Sequence, residues 1–385
     1  MKIALGTIVR SLDDSAPLLS FVDNALMHGH KLDCAIVAYT DKLCPQAVHD
    51  ITKKIPLFAV NINSPEFLST QFRRLGLSAF ATQELLNCPV DTARGLVPYG
   101  FNRNIVLLEA LLRQIDILFF VDSDVLPIVL RKIDGEISTH EVDFFGAHLE
   151  FLRAGALITT GEYSGYNILP PARFDGMDDL LIGVQKEDMI EYWQSSEVHR
   201  SLVFQSESAQ AKPCTKILGG NTAFKLEAFS SLPPFFSSHY TVKSEMFLSR
   251  GEDTLLGVAV AKSEIPCIDI CLNPLHDTYK NFPVEPNLRS DRDTQDRFYY
   301  AIAGWVGRNP FYNYLLRKDF LESKELQREH FVRGIVALAK YTLNIKFNTL
   351  IDNFDESWSS LDRYVSEYEK VVLAWETFIE RVGMR

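Results

Sequence analysis

Cysteine is scarce. The chain has six in 385 residues, at 34, 44, 88, 214, 267 and 271, and no pair has CxxC spacing. That excludes a disulfide framework; in a chain this long they read as buried thiols of a reducing compartment. Cys267, Cys271 and His276 lie close in sequence. A fourth ligand at zinc spacing is lacking, however, and both cysteines fall in an alternating, strand-like run. Long apolar runs are also lacking. The best stretch, residues 105–130, is cut by Glu109, Arg113, Asp116, Asp122 and Asp124, which excludes a membrane-spanning helix. The opening MKIALGTIVRSLDD has no extended apolar region of the signal-peptide kind and reads as a first strand. A soluble, cytoplasmic protein is therefore expected. Positive charge is in deficit, with 39 basic against 50 acidic residues and a net charge of −11. Nucleic acid and anionic membrane are poor partners for such a chain, although a local basic site for a phosphorylated ligand remains open.

What is present is an ordinary globular composition, 46% apolar and 23% charged, with no internal repeat. Strand-like runs at Lys2–Val9, Asp33–Tyr39, Leu57–Asn61 and Asp116–Val121 alternate with helical spacing at Ala16–His28, Pro45–Lys54 and Asn102–Gln114. Alternation of this kind predicts an open α/β sheet flanked by helices. The middle is mixed and closes on a strand over Ile265–Leu272. Thr278–Thr294 is polar and reads as a flexible loop. After Gln295 the periodicity turns helical, over Phe298–Val306, Glu325–Phe347 and Glu356–Val382. In the last of these, apolar residues from Trp358 through Trp375 to Val382 form one stripe. Packing on the rest of the chain is the expected use of that stripe, and pairing of two copies is the alternative. Asn353 and Glu356 have the spacing of a helix-capping pair.

The chemistry concentrates in Ile117-Leu118-Phe119-Phe120-Val121-Asp122-Ser123-Asp124. Side chains alternate along a strand, so Asp122 and Asp124 share a face and Ser123 opposes them. Two acids at the mouth of a buried strand are costly unless solvated or ligated. A hard divalent cation, Mn²⁺ or Mg²⁺, would satisfy them, and the mouth of an α/β sheet is where ligands bind. Taken alone, the motif reads more readily as two solvated loop aspartates. Three other segments add weight: Leu218-Gly219-Gly220-Asn221, Gly251-Glu252-Asp253-Thr254 ahead of a helical run, and Pro274-Leu275-His276-Asp277-Thr278-Tyr279-Lys280 after a strand. Upstream, Phe101-Asn102-Arg103-Asn104 opens the helix before the Asp122 strand.

In this order the segments resemble the GT-A fold of nucleotide-sugar-dependent glycosyltransferases, and among them the mannosylglycerate synthase type. Shared features are the DxD, the Leu-Gly-Gly, an acid followed by Thr-Leu at Asp253, and a His-x-x-Tyr at His276 and Tyr279, 23 residues beyond Asp253. The resemblance implies a catalytic domain over 1–280, with a nucleotide-sugar half at about 1–130 and an acceptor half at about 131–280. A helical region, 281–385, follows. It implies a metal held by Asp124 and His276 with Asp122, and a donor contacted by Asp122, Ser123, Arg103, Asp41, Tyr279 and Lys280. Gly219, Gly220 and Asn221 would meet acceptor or sugar. Asp253, with Glu252 beside it, would serve as base in an inverting transfer or as an orienting group in a retaining one. The partners so implied are a nucleoside-diphosphate sugar, UDP- or GDP-linked, and a hydroxyl acceptor.

Asp122-Ser123-Asp124-Val125 also fits the start of haloacid-dehalogenase-type phosphohydrolases, with Asp122 as nucleophile. That motif usually sits on the first strand of its domain, whereas here several strand–helix units precede it. A sugar-nucleotide-binding protein without activity is the third reading.

Overall fold

The computed structural model describes residues 1–186, 189–190, 202–206, 208–317 and 320–384. Three parallel strands open the chain: β1 (Ile3–Val9), β2 (Cys34–Tyr39) and β3 (Leu57–Asn61). Next come β4 (Ile117–Val121), a long hairpin of β5 (Val125–Ile133) and β6 (Glu136–Glu141), and the short β7 (Ile158–Thr160), β8 (Gly165–Tyr166), β9 (Leu202–Val203) and β10 (Lys212–Pro213). The remaining strands are β11 (Asn221–Lys225), the hairpin β12 (His239–Val242) and β13 (Glu245–Leu248), β14 (Cys267–Asp269) and β15 (Pro274–His276). Eight of them form one mixed sheet in the order β10-β14-β7-β11-β4-β1-β2-β3. Every residue of β1 and β4 is buried, as expected of continuously apolar strands covered on both faces.

One face of the sheet packs on helices Glu66–Arg74, Ala79–Leu86, Tyr99–Leu112 and the last helix, Leu361–Arg381. The other packs on Ala16–Met27, Pro45–Thr52 and Phe144–Arg153, where Phe21 and Phe144 meet edge to face at 4.9 Å. A second layer of core joins Met177–Gly183, Arg292–Leu315, Phe320–Thr342 and Leu350–Ser359 around Tyr240 and Phe247 of the β12–β13 hairpin. The helices beyond residue 280 therefore share their cores with the preceding chain. Trp375 and Phe378 from the C-terminal stripe are buried, and Phe378 lies 5.4 Å from Phe72. No helix among the described residues is long and apolar enough to cross a membrane.

Three expectations shift. The run Glu356–Val382 is broken at Ser360, so two helices replace one. Asn353 lies inside Leu350–Ser359 and does not cap it; its buried amide donates to the Tyr240 hydroxyl at 3.1 Å. The helix expected over Phe298–Val306 runs the full 24 residues of Arg292–Leu315, because Asp291 caps it early by accepting from the Asp293 and Thr294 amides.

Candidate active site

At the carboxyl ends of β4 and β1, where β11 runs antiparallel beside β4, a cleft of about 1230 Å³ opens. Its floor is organised by Arg103. The Tyr99–Leu112 helix crosses beneath the β4 mouth and delivers this side chain, 3% exposed, into a ring of acceptors. Its Nε donates to Glu252 Oε1 at 2.9 Å, Nη1 to the Gly219 carbonyl at 2.7 Å and Nη2 to Asp122 Oδ1 at 3.0 Å. Burial alone would favour the neutral guanidine, but the carboxylates of Asp122 and Glu252 outweigh it and push the Arg103 pKa up. Burial, with Asp253 adding to it, raises the Glu252 carboxyl against the pull of Arg103. Arg103 is thus tied into the protein, with Glu252 as its buried partner, and both also line the cleft.

The two glycines are dictated by this floor. A Cβ on Gly219 would stand 2.3 Å from Arg103 Nη2, and one on Gly220 would stand 2.4 Å from Asp122 Oδ2 and 2.7 Å from the Tyr163 hydroxyl. Their amides are used as well. Gly219 donates to Asp253 Oδ2 at 3.0 Å and Gly220 to the Tyr163 hydroxyl at 2.8 Å. Asp253 sits in the first turn of helix Glu252–Ser263, and its other oxygen accepts from the Thr254 amide at 2.7 Å. A carboxylate has about four acceptor directions, so Asp253 keeps capacity toward the cleft that it lines.

The wall is built from distant segments. β4 stops at Val121, so Asp122 and Asp124 do not share a strand face as expected: Asp124 lies in the turn to β5 and meets His276 of β15, with Oδ1 3.2 Å from Nε2. Its other oxygen lies 3.5 Å from Arg297 Nη2 on helix Arg292–Leu315. Burial raises the Asp124 carboxyl, yet the hydrogen bond and charge of His276, with the Arg297 charge, hold it down at about 2. Tyr163 lies against the His276 ring at 4.8 Å, which links wall to floor through Gly220. Burial, with the Asp122 charge, pushes the Tyr163 phenol well above its ordinary range.

The cleft brings together Arg103, Asp122, Ser123, Asp124, Gly219, Glu252, Asp253 and His276. Asn221 goes elsewhere. It is fully buried: its Oδ1 accepts from His148 Nε2 and its Nδ2 donates to the Glu162 and Leu272 carbonyls, so its amide braces the core instead of meeting acceptor or sugar. Tyr279 donates to the Ile168 carbonyl at 2.9 Å, and Lys280 is exposed; neither side chain lines the cleft. Asp41 lines a separate hollow of about 710 Å³ past the ends of β1, β2 and β3, with Arg10 and Asn63. Tyr163, Arg250, Arg297, Trp305 and Arg308 also line the main cleft and escaped the sequence reading. Helical spacing gives a signal for the last three, since 297, 305 and 308 return to one face of a single helix.

A divalent cation fits two of its three expected ligands. Two ligands cis on an octahedral ion with bonds of about 2.1 Å stand about 3.0 Å apart, close to the 3.2 Å between Asp124 and His276. Asp122 is turned toward Arg103, and among the described residues no three His, Cys, Asp or Glu side chains converge as a ready metal cage.

No protein-family profile matches the chain, and no curated protein matches it significantly. Solved structures show a distant likeness. Glucosyl-3-phosphoglycerate synthase from Mycobacterium tuberculosis with Mn²⁺ and UDP-glucose is 14% identical, with 80% of this chain and 78% of that chain covered and a TM-score of 0.39. The same enzyme with Mn²⁺, UDP and phosphoglyceric acid gives the same figures. A further mycobacterial protein is 14% identical over 80% of this chain and 74% of its own, with a TM-score of 0.39.

Proposed function

We propose that this chain is a glycosyltransferase of the GT-A kind, moving a sugar from a nucleoside-diphosphate sugar to a hydroxyl acceptor with the help of a divalent cation. The observation that carries the reading is the convergence of Asp122, Asp124, His276 and Asp253, from three separate segments of chain, on one cleft at the mouth of the sheet. Asp124 and His276 would hold the cation, with the donor's phosphates and water completing its shell. Bound there, it supplies positive charge to the departing diphosphate.

The chain's own groups do the rest. Arg103 fixes one oxygen of Asp122, which leaves the other for the donor's ribose or a metal-bound water. Arg297 places a second positive charge beside Asp124, toward the diphosphate. The hollow at Asp41, Thr40 and Asn63 offers polar groups to a nucleobase. Asp253, steadied by the Gly219 and Thr254 amides, takes the proton of the acceptor hydroxyl in an inverting transfer and orients the acceptor in a retaining one. Arg250 also lines the cleft and suits an acceptor that carries an anionic group.

Incubation with UDP- and GDP-sugars, Mn²⁺ and a panel of hydroxy acids tests the reading. The expected products are a free nucleoside diphosphate and a glycosylated acceptor. Release of inorganic phosphate from simple esters, with a phosphate mimic trapped on Asp122, would instead establish the phosphohydrolase reaction.

A further inference from the structure

Away from the acidic groups of the cleft, two thiols face each other at the edge of the sheet. Strand β10 runs antiparallel to β14 with Lys212 opposite Asp269 and Pro213 opposite Ile268, so the next pair in register is Cys214 and Cys267. The Cys214 amide donates to the Cys267 carbonyl at 3.0 Å, and the two sulfurs lie 3.6 Å apart. Directly opposed residues of an antiparallel pair hold their Cα atoms about 4.5–5.5 Å apart, inside the window of about 4.4–6.8 Å that a disulfide spans. Bonding at about 2.05 Å requires the sulfurs to close by roughly 1.5 Å, a distance that side-chain rotation covers. All six cysteines are free thiols.

We propose that Cys214 and Cys267 form a reversible modification site, a disulfide made when the protein meets a hydroperoxide. Their unequal exposure assigns the roles. Cys214 is partly exposed just past the edge strand, while Cys267 is 3% exposed. The Cys214 sulfur attacks hydrogen peroxide, becomes a sulfenic acid and releases one water. The Cys267 thiol then attacks that sulfur, the sulfur–oxygen bond breaks, and a second water leaves as the S–S bond forms. Two thiols lose two electrons in all, and one peroxide is reduced to two waters. Cys271 is the competing thiol, but its sulfur donates to the Gln210 carbonyl at 2.9 Å. Cys34 lies in β2, across the sheet. The bridge would staple the chain immediately before Thr215–Gly219, the segment that lines the cleft and holds Arg103 and Asp253. The proposal is independent of the reaction assigned to that cleft.

The test uses the full-length reduced protein, one equivalent of hydrogen peroxide, alkylation in denaturant and peptide mapping by mass. The expected result is loss of two of the six alkylatable thiols, one crosslink joining the Cys214 and Cys267 peptides within a single chain, and full reversal by dithiothreitol. Cys214→Ser should remove the crosslink and leave Cys267 reduced, with an unchanged circular dichroism spectrum. Because the wild-type map stands without any variant, a variant that fails to fold does not protect the proposal. Six free thiols after treatment, a Cys214–Cys271 link, a link between chains, or sulfinic acid at Cys214 with no crosslink would each overturn it.

Discussion

Asp122 and Asp124 are two residues apart, yet they belong to differently built regions. Asp122 is part of the floor, tied to a buried arginine that also binds Glu252 and the Gly219 carbonyl. Asp124 is part of the wall, where its partners His276 and Arg297 come from a late strand and from a helix of the second core. The floor closes its hydrogen bonds on itself and can be rigid before any ligand arrives. The wall keeps a carboxylate and an imidazole turned to the cleft. A rigid floor that positions and a polar wall that binds are what a site with an exchangeable charged ligand requires.

The contrast is broken most severely at Arg103. Arg103→Met leaves Asp122 and Glu252 without their buried counter-charge, and loss of one partner from a buried pair costs about 3–5 kcal/mol. Urea unfolding should show that loss, together with loss of nucleotide binding. A variant as stable as the wild type would deny the floor its structural role.

A similar size is expected where the floor is braced from below. His148 is fully buried, bonded to Thr159 and Asn221, and burial lowers its pKa from 6.5 to about 4. The unfolded chain binds that proton near pH 6.5 and the folded chain does not, so the unfolded state holds more protons between the two values and stability falls as pH drops through this window. The loss amounts to about 3 kcal/mol by pH 4. Urea midpoints from pH 7 to pH 4 should fall more steeply for the wild type than for His148→Gln. Parallel slopes would show that His148 is not held neutral.

Asp253 joins the two regions, since it is anchored by the floor and lines the cleft. Asp253→Asn should reduce inverting transfer by ~10²-fold or more, with nucleotide affinity nearly unchanged, as read by steady-state kinetics beside titration calorimetry. Equal losses in binding and turnover would place Asp253 with the donor. The smallest effect belongs to Arg297. Its pairing with Asp124 is partly exposed and opposes a cation, so Arg297→Gln should tighten Mn²⁺ alone by no more than about fivefold, the scale of such pairs. Weakened Mn²⁺ binding would contradict this.

Much of the sheet could be read from the sequence, because β1 to β4 are apolar runs with local boundaries. The site was read unevenly, and the reason is distance. Asp122, Asp124, Gly219, Gly220, Asp253 and His276 stand in short local motifs. Arg103 and Asn221 stand in local motifs too, but whether a buried polar group turns to a ligand or to a backbone carbonyl depends on packing: Asn221 braces the core, and Arg103 ties the floor together while lining the cleft. Arg297 lies 173 residues from Asp124, and no local pattern announces the encounter. The break at Ser360 escaped because the apolar stripe runs on across it.

Titration calorimetry of UDP and GDP, with and without Mn²⁺, tests the division of labour most directly when the wild type is compared with Asp124→Asn and His276→Ala. The expected result is that one nucleotide binds at least tenfold more tightly with Mn²⁺ in the wild type, and that both variants lose this gain while keeping the wild-type circular dichroism spectrum. Nucleotide affinity that ignores Mn²⁺ in the wild type, or a gain that survives in both variants, would contradict a metal-binding wall at Asp124 and His276.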